Sequence, residues 1–285
     1  MSGAGAEGSV AERTELLVPE PAEALGGLLG VPVPDLAYGE SLPLLWHWIY
    51  LLDRPAQADL GPDGHPVRGS LPAPPGPGRR RMWAGGRVQA AGPLRCGIPA
   101  TKRTSVLSVT EKQGRSGRLT FVTLGHQIRQ GGQLVVDERQ DVVYRDAAAA
   151  PGGPAVAPSV AAAVPAGEDE WEIEVSPALL FRFSALTYNA HRIHYDRGYA
   201  SDVEGYPGLL THGPLQALAM AEAARAAMSG RDPGGVTFEY RLLSPLFDHQ
   251  GMLVRVVPGA EEMVTSVRDR YGRQSAAGTL RAGAR

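Results

Sequence analysis

Residues 214–228 read PLQALAMAEAARAAM, and the stretches that follow, VTFEYRLL at 236–243, MLVRVV at 252–257, MVTSVR at 263–268 and QSAAGTL at 274–280, are short, largely apolar and separated by turn residues. The first is expected to be an Ala-rich helix and the others strands, the last two joined by a turn over 269–273 that contains Gly272. The same order precedes it in the chain. Residues 43–53, PLLWHWIYLLD, predict a helix with Ser41 as cap and Pro43 in the first turn, where a missing amide hydrogen costs little. Its Leu and Trp side chains occupy nearly every face, and a short helix that is apolar all round has to be buried, most simply by a sheet wrapping it. Strands are expected over 87–91, 104–110, 119–128 and 134–144, the last two forming a hairpin across Gly131 and Gly132. Pro93-Leu94 follows the first strand of one meander and Pro245-Leu246 the first strand of the other.

One helix followed by an antiparallel meander, twice over, is an α+β arrangement: a double hot-dog, two antiparallel sheets each wrapped round a central helix. The Ala/Pro/Val/Gly-rich stretch 147–168 is the expected linker, which divides the chain into a disordered leader (1–13), a first module (14–146) and a second module (169–285). A Pro/Gly-rich stretch at 58–78 reads as an excursion over the surface. The 28 basic residues are interspersed among 30 acidic ones, so no electrostatic footprint for nucleic acid is expected. Cys96 is the only cysteine, which excludes an intrachain disulfide framework and fits a reducing, cytoplasmic setting. The longest apolar run, 42–52, is about half the roughly 20 residues that cross a bilayer, so no membrane partner is expected.

The chemistry concentrates at residues 181–200, FRFSALTYNAHRIHYDRGYA, where Asn189, His191, His194, Tyr195 and Asp196 fall within eight positions. Leu209-Leu210-Thr211-His212-Gly213-Pro214 then leads into the buried helix, whose first amide hydrogens lack intrahelical partners. Adding water across a double bond conjugated to a thioester carbonyl places negative charge on the carbonyl oxygen. Amide hydrogens at a helix start, beside a glycine that permits close approach, can form the oxyanion hole, which nominates Gly213. Neutral imidazole, with an unperturbed pKa of about 6.5, suits the base that activates the water, which nominates His194, with Asn189 orienting the water. A histidine in a soluble domain is commonly a packed or surface residue: His191 either braces its loop or contacts substrate, and His212 reads as structural, although both are kept as substrate-site candidates. His191, His194 and His212 together could also mimic a zinc shell, but no cysteine lies nearby and the reading is no metal.

The string Asn189-Ala190-His191-Arg192-Ile193-His194, followed by His212-Gly213, resembles the MaoC-like hydratase/dehydratase family, whose usual motif is D-x-N-P-[LIV]-H with a later H-G at the hot-dog helix. Laid over it, the family's aspartate falls on Asn189, its asparagine on His191, its proline on Arg192 and its histidine on His194. The longer string SALTYNAHRIHYD is similar to a branch containing type 2 3-hydroxyacyl-thioester dehydratases and mesaconyl-CoA or itaconyl-CoA hydratases. Leu42 to Trp48, Arg80 to Gly86 and Gly114 to Gly117 resemble that branch's amino-terminal domain. The resemblance implies a hydro-lyase acting on an acyl-CoA or acyl-carrier thioester without a cofactor. It implies His194, Asn189 and Gly213 as catalytic groups, and His191, Tyr195, His212, Met82 and Trp83 as substrate-site candidates. The first module is expected to be a non-catalytic wall of the pocket. A 3-hydroxyacyl chain of fatty-acid or polyketide metabolism is the alternative to a short branched dicarboxylyl substrate. A catalytically silent thioester-binding protein is the alternative of another class, and a homodimer is left open. Arg79, Arg80 and Arg81 read either as a solvated charged turn or as a grip on coenzyme A phosphates.

Overall fold

Strand alternation and glycine turns dominate the architecture. In the computed structural model, which describes residues 10–67, 79–114, 117–146, 162–228 and 235–282, the first half contains β1 (Val10–Leu16), α1 (Pro19–Leu29), β2 (Arg79–Ala90), β3 (Pro99–Gly114), β4 (Gly117–Gln130) and β5 (Gln133–Asp146). The second half contains β6 (Glu170–Ile173), α2 (Pro177–Leu186), α3 (Gly213–Ala227), β7 (Val236–Leu242), β8 (Met252–Pro258), β9 (Glu262–Arg268) and β10 (Gln274–Arg281). The β4–β5 turn is the two residues Gly131 (φ 58°) and Gly132 (φ 80°), both left-handed, as a tight hairpin whose twist matches its strands requires.

The ten strands form one sheet in the order β1-β3-β4-β5-β2-β7-β10-β9-β8-β6. The two halves are mirrored about the antiparallel β2–β7 pair, where Gly86 faces Tyr240 and Val88 faces Phe238. The double hot-dog class therefore stands, with its two sheets fused at the seam. α3 is the central helix of the second half, and its Leu215, Ala217, Leu218, Ala219 and Met220 are wholly buried. Its small residues let strands approach closely. One apolar cluster spans both halves, and a smaller one, Val106, Val122, Leu124, Val142 and Tyr144, lies within β3–β5.

The first half departs from the expected repeat. Residues 43–53 do not form an α-helix: only a 3-10 turn, Trp46–Ile49, is present, flanked by Leu45 (φ 69°) and Leu51 (φ 53°) in left-handed conformations. The side chains of this segment reach carboxylates in both halves of the molecule. Trp46 Nε1 donates to Glu222 Oε1 on α3 (2.7 Å). His47 Nε2 and Trp48 Nε1 both meet Glu138 on β5 (3.0 and 2.9 Å). Burial of the apolar run was foreseen, but its conformation was set by these distant partners.

The leader expected over 1–13 is too long at its inner end, because Val10 to Arg13 belong to β1, paired with β3 from Val10–Ser105 to Leu16–Pro99. Its exposed/half-buried alternation is that of an edge strand. Helices α1 and α2 were not expected. α2 starts with Ser176 as cap, its Oγ accepting from Leu179 N–H (3.2 Å), and Pro177 in the first turn, a local signature that was present but unread. Most of the linker, 147–161, lies outside the described residues; its end is tied down, with Arg268 donating to the Pro165 carbonyl (2.9 Å). Of the 58–78 excursion, 68–78 also lie outside the described residues.

Candidate active site

The segment after α2 turns sharply at Tyr188, a non-glycine residue at φ 53°. Asn189 Oδ1 then accepts the His191 backbone N–H (3.0 Å), a side-chain-closed turn, while the Asn189 N–H returns to Ser184 O (2.8 Å). The Asn189 amide oxygen is thus occupied by the loop itself, and its NH₂ is the part left to meet a water. Arg192, at the family motif's proline position, forks onto Asp196 Oδ2 through Nε and Nη2 (3.0 and 2.7 Å) and covers the Tyr199 ring at 4.1 Å. Asp196 in turn accepts the Tyr199 N–H (3.0 Å). This network presents the short helical turn Arg192–His194.

His194 Nδ1 lies 2.7 Å from the Leu210 carbonyl oxygen, which can only accept, so Nδ1 carries the proton and Nε2 keeps its lone pair. The strand-like segment that supplies Leu210 is fixed by Leu210 N–H to Ile193 O (3.0 Å) and Thr211 N–H to Leu246 O (2.7 Å). Burial lowers the proton affinity of His194, and although the Leu210 bond pulls the other way its pKa settles at about 4. The ring is a neutral base at neutral pH. His212 stacks beneath it at 3.7 Å and 19°, wholly buried, with Nε2 bonded to Ser184 Oγ (2.9 Å). His212 is therefore the bearing surface for His194 and does not reach the open side of the site.

Gly213 is the first residue of α3, and no hydrogen bond among the described residues uses its N–H. A Cβ here would lie 2.2 Å from Leu242 Cδ1, so the bare backbone is what lets the helix start sit against β7. A base with a fixed tautomer thus stands beside an unspent helix-start amide. This combination can take a proton from water and stabilise charge on a carbonyl oxygen.

His191 lies edge-on to His194 at 5.5 Å and also contacts the His65 ring at 3.9 Å. His65 comes from the stretch 58–67, which is no free excursion: Arg192 N–H donates to Asp63 O (2.9 Å) and Arg192 Nη1 to Pro62 O (3.0 Å). Gly64, at φ 87°, passes so close that a Cβ would fall 1.8 Å from Ala190 O. Asp63 and His65 were missed in the sequence, where the available signal was an acid and an imidazole two residues apart in a Gly/Pro-rich turn. Asp63, His65 and His191 also place one potential ligand atom each within 4.8 Å of one another. The triple His191, His194 and His212 does not form such a group among the described residues.

The remaining candidates separate. Trp83 sits at the seam, donating to Tyr240 OH (2.9 Å) and edge-on to Trp48 at 5.4 Å. Met82 is 37% exposed, as strand alternation places it on the other face of β2. Tyr195 is also exposed, its hydroxyl bracing the loop through Ala190 O (3.0 Å). Neither joins the histidine group. Arg79, Arg80 and Arg81 are strand residues rather than a solvated turn: Arg80 is half-buried and ion-paired to Glu204 (2.8 Å).

The fold and this site define a double hot-dog hydro-lyase, an acyl-thioester hydratase/dehydratase. A profile of the family Hydroxyacyl-thioester dehydratase type 2 matches residues 45–248, and the chain belongs to that family. It is 48% identical over 220 residues to the mesaconyl-C(4)-CoA hydratase of Chloroflexus aurantiacus, covering 77% of this chain and 74% of that protein. Among solved structures it is similar to a MaoC-like dehydratase (TM-score 0.70, 16% identity, 98% of this chain and 99% of that one). It is also similar to a Mycobacterium tuberculosis protein with a double hotdog fold (TM-score 0.57, 14% identity, 96% and 95%). Membership of a family of enzymes sets aside the reading as a silent binder. No helix among the described residues is long and apolar enough to cross a membrane.

Proposed function

We propose that the chain adds water reversibly across the 2,3 double bond of a short branched dicarboxylyl-CoA, with His194 as general acid/base, the Asn189 NH₂ orienting the water and the Gly213 N–H holding the thioester oxygen. The observation that carries this is the His194 Nδ1–Leu210 O bond, which leaves Nε2 as the free base next to the start of α3. In hydration the water proton passes to Nε2 as the oxygen bonds to C3, and the π electrons move onto the thioester oxygen. Burial keeps His194 neutral and able to accept that proton at pH 7. The identity to a mesaconyl-C(4)-CoA hydratase over most of both chains supports the dicarboxylyl substrate.

The first half supplies the wall of the acyl site through Trp83 and the turn carrying His65. Both modules lie in one chain, so the site needs no second copy to be complete; a homodimer, if formed, pairs two complete sites. The lone, buried Cys96 fits a cytoplasmic setting. An absorbance assay over mesaconyl-C4-CoA, itaconyl-CoA, crotonyl-CoA and a matched acyl-carrier thioester tests the reading. The dicarboxylyl-CoA esters are expected to give the highest kcat/KM, and a preference for a plain 3-hydroxyacyl or carrier-bound chain would overturn the substrate class.

A further inference from the structure

Hydration moves two protons: one leaves the water and one arrives at C2. The family's usual motif puts a carboxylate at the position of Asn189, and an amide cannot exchange a proton in its place. The first half brings a carboxylate back by another route. Asp63 Oδ2 lies 3.1 Å from His65 Nδ1, and its other oxygen accepts the His65 backbone N–H at 3.0 Å. A carboxylate on Nδ1 sets the tautomer in the same sense as the Leu210 carbonyl does for His194. His65 Nε2, like His194 Nε2, has no hydrogen-bond partner among the described residues. Both rings contact His191, at 3.9 and 5.5 Å from it. The turn that carries the pair is held by the catalytic loop itself, through Arg192 to Asp63 O and Pro62 O and through the close pass of Gly64 over Ala190.

We propose that His65, positioned by Asp63, is the second proton-transfer group of this hydratase site, acting at C2 while His194 acts on the water. In hydration a water O–H bond breaks to His194 Nε2 as the oxygen–C3 bond forms, and the C2=C3 pair moves into the thioester as an enolate. The enolate then collapses, its C2–H bond forming as the Nε2–H bond of the His65 imidazolium breaks. His194 is left protonated and His65 neutral, and exchange with solvent resets both. Dehydration runs the same transfers backwards. Burial holds the His65 pKa below the ordinary imidazole value, Asp63 opposing that effect only in part and Arg81 reinforcing it; the enolate forming beside the ring is what favours the charged form in the working complex.

The inference rests on the hydratase reading of His194, so H194A is assayed beside the His65 variants with mesaconyl-C4-CoA and crotonyl-CoA. H65Q is expected to lower kcat about 100-fold with KM within about threefold, and to lose the alkaline limb of the kcat–pH profile, which reports the group that must enter protonated. D63N, which keeps the ring, should lose about tenfold, with partial recovery in D63E. Adding N189D to H65Q should regain about tenfold, because it restores an exchangeable proton close to the same place. Far-UV circular dichroism and melting curves separate loss of fold from loss of chemistry. If H194A retains turnover, the His194 reading falls and this one with it. If H194A is inactive while folded H65Q works within about threefold of wild type, or is slow with its alkaline limb intact, the role of His65 alone is overturned.

Discussion

His194 has a single nitrogen to use, since Leu210 holds the other, and stacked His212 fixes the plane of its ring. Replacing it with Ala removes the base but no part of the backbone network, so kcat should fall by about 10²- to 10⁴-fold with the fold intact, read by steady-state kinetics and circular dichroism. Near-normal kcat would remove His194 from the mechanism. The pH dependence follows from burial. His194 must be neutral to take a proton, and its pKa lies at about 4, below the ordinary imidazole value, so the acid limb of kcat/KM should approach pH 4 rather than 6.5. A limb at 6.5 would mean that the ring is solvated in the working enzyme. His194 and Asn189 could be nominated from the sequence because a loop motif is local. His212 read as structural but was kept as a substrate-site candidate beside Tyr195, because whether a side chain faces the site or backs it depends on packing from Ser184, Phe183 and Ala190.

At the scale of elements, the start of α3 sits against the half-buried Leu242 side chain of β7. Gly213→Ala would place a methyl 2.2 Å from Leu242 Cδ1, and the strain is shared between that side-chain end and the helix start at the oxyanion position. A fall in kcat of up to about 100-fold is expected, the size seen for full loss of an oxyanion donor. Leu242→Ala in the same chain opens that space and should return part of the lost kcat; no recovery would show that the Gly213 backbone matters for a reason other than this contact. The 3-10 turn Trp46–Ile49 is joined to β5 through Glu138, whose carboxylate accepts from His47, Trp48 and Gln140. Burial pushes the Glu138 pKa up, but the His47 bond and charge outweigh it and hold it at about 2. A depressed carboxylate pKa stabilises the fold fully above the unfolded value of about 4.3 and loses that contribution as pH falls towards 2, on the order of 3 kcal/mol. Denaturant melts of wild type should therefore weaken between these pH values, and Glu138→Gln should flatten that slope.

Across the whole molecule, the β2–β7 seam makes the halves one body. β2 covers the edge of β7, and Trp46 supplies a hydrogen bond to the buried Glu222 of α3, which Arg225 also holds (2.7 Å). A fragment beginning at residue 168 would expose the β7 edge and leave Glu222 short of a donor, so it should be poorly soluble and inactive alone. A stable, monomeric, fully active fragment would refute the two-module site. Trp83 stands at the same seam with Tyr240 and Trp48, so Trp83→Ala should change the ranking of acyl chains by kcat/KM more than it changes the best kcat. Met82→Ala, on the exposed face, should leave that ranking unchanged, which a panel of thioesters would read directly.

The amino-acid order alone determined the β3-β4-β5 and β8-β9-β10 meanders, the hairpin at Gly131-Gly132 and the central helix α3, and it nominated His194 as the base. Each of these rests on local periodicity, a turn that only glycine accepts, or a contiguous loop motif. Tertiary structure decided the rest. Whether 43–53 became a helix depended on Glu138 and Glu222, 91 and 176 residues away from their partners His47 and Trp46. The Pro/Gly-rich turn at 61–65 acquired its meaning only when Arg192 and Ala190 came up against it, bringing Asp63 and His65 to the histidines. Hydrogen bonds that satisfy buried polar groups across such separations leave no periodic trace in the chain, so their partners are found only when the sheet has closed.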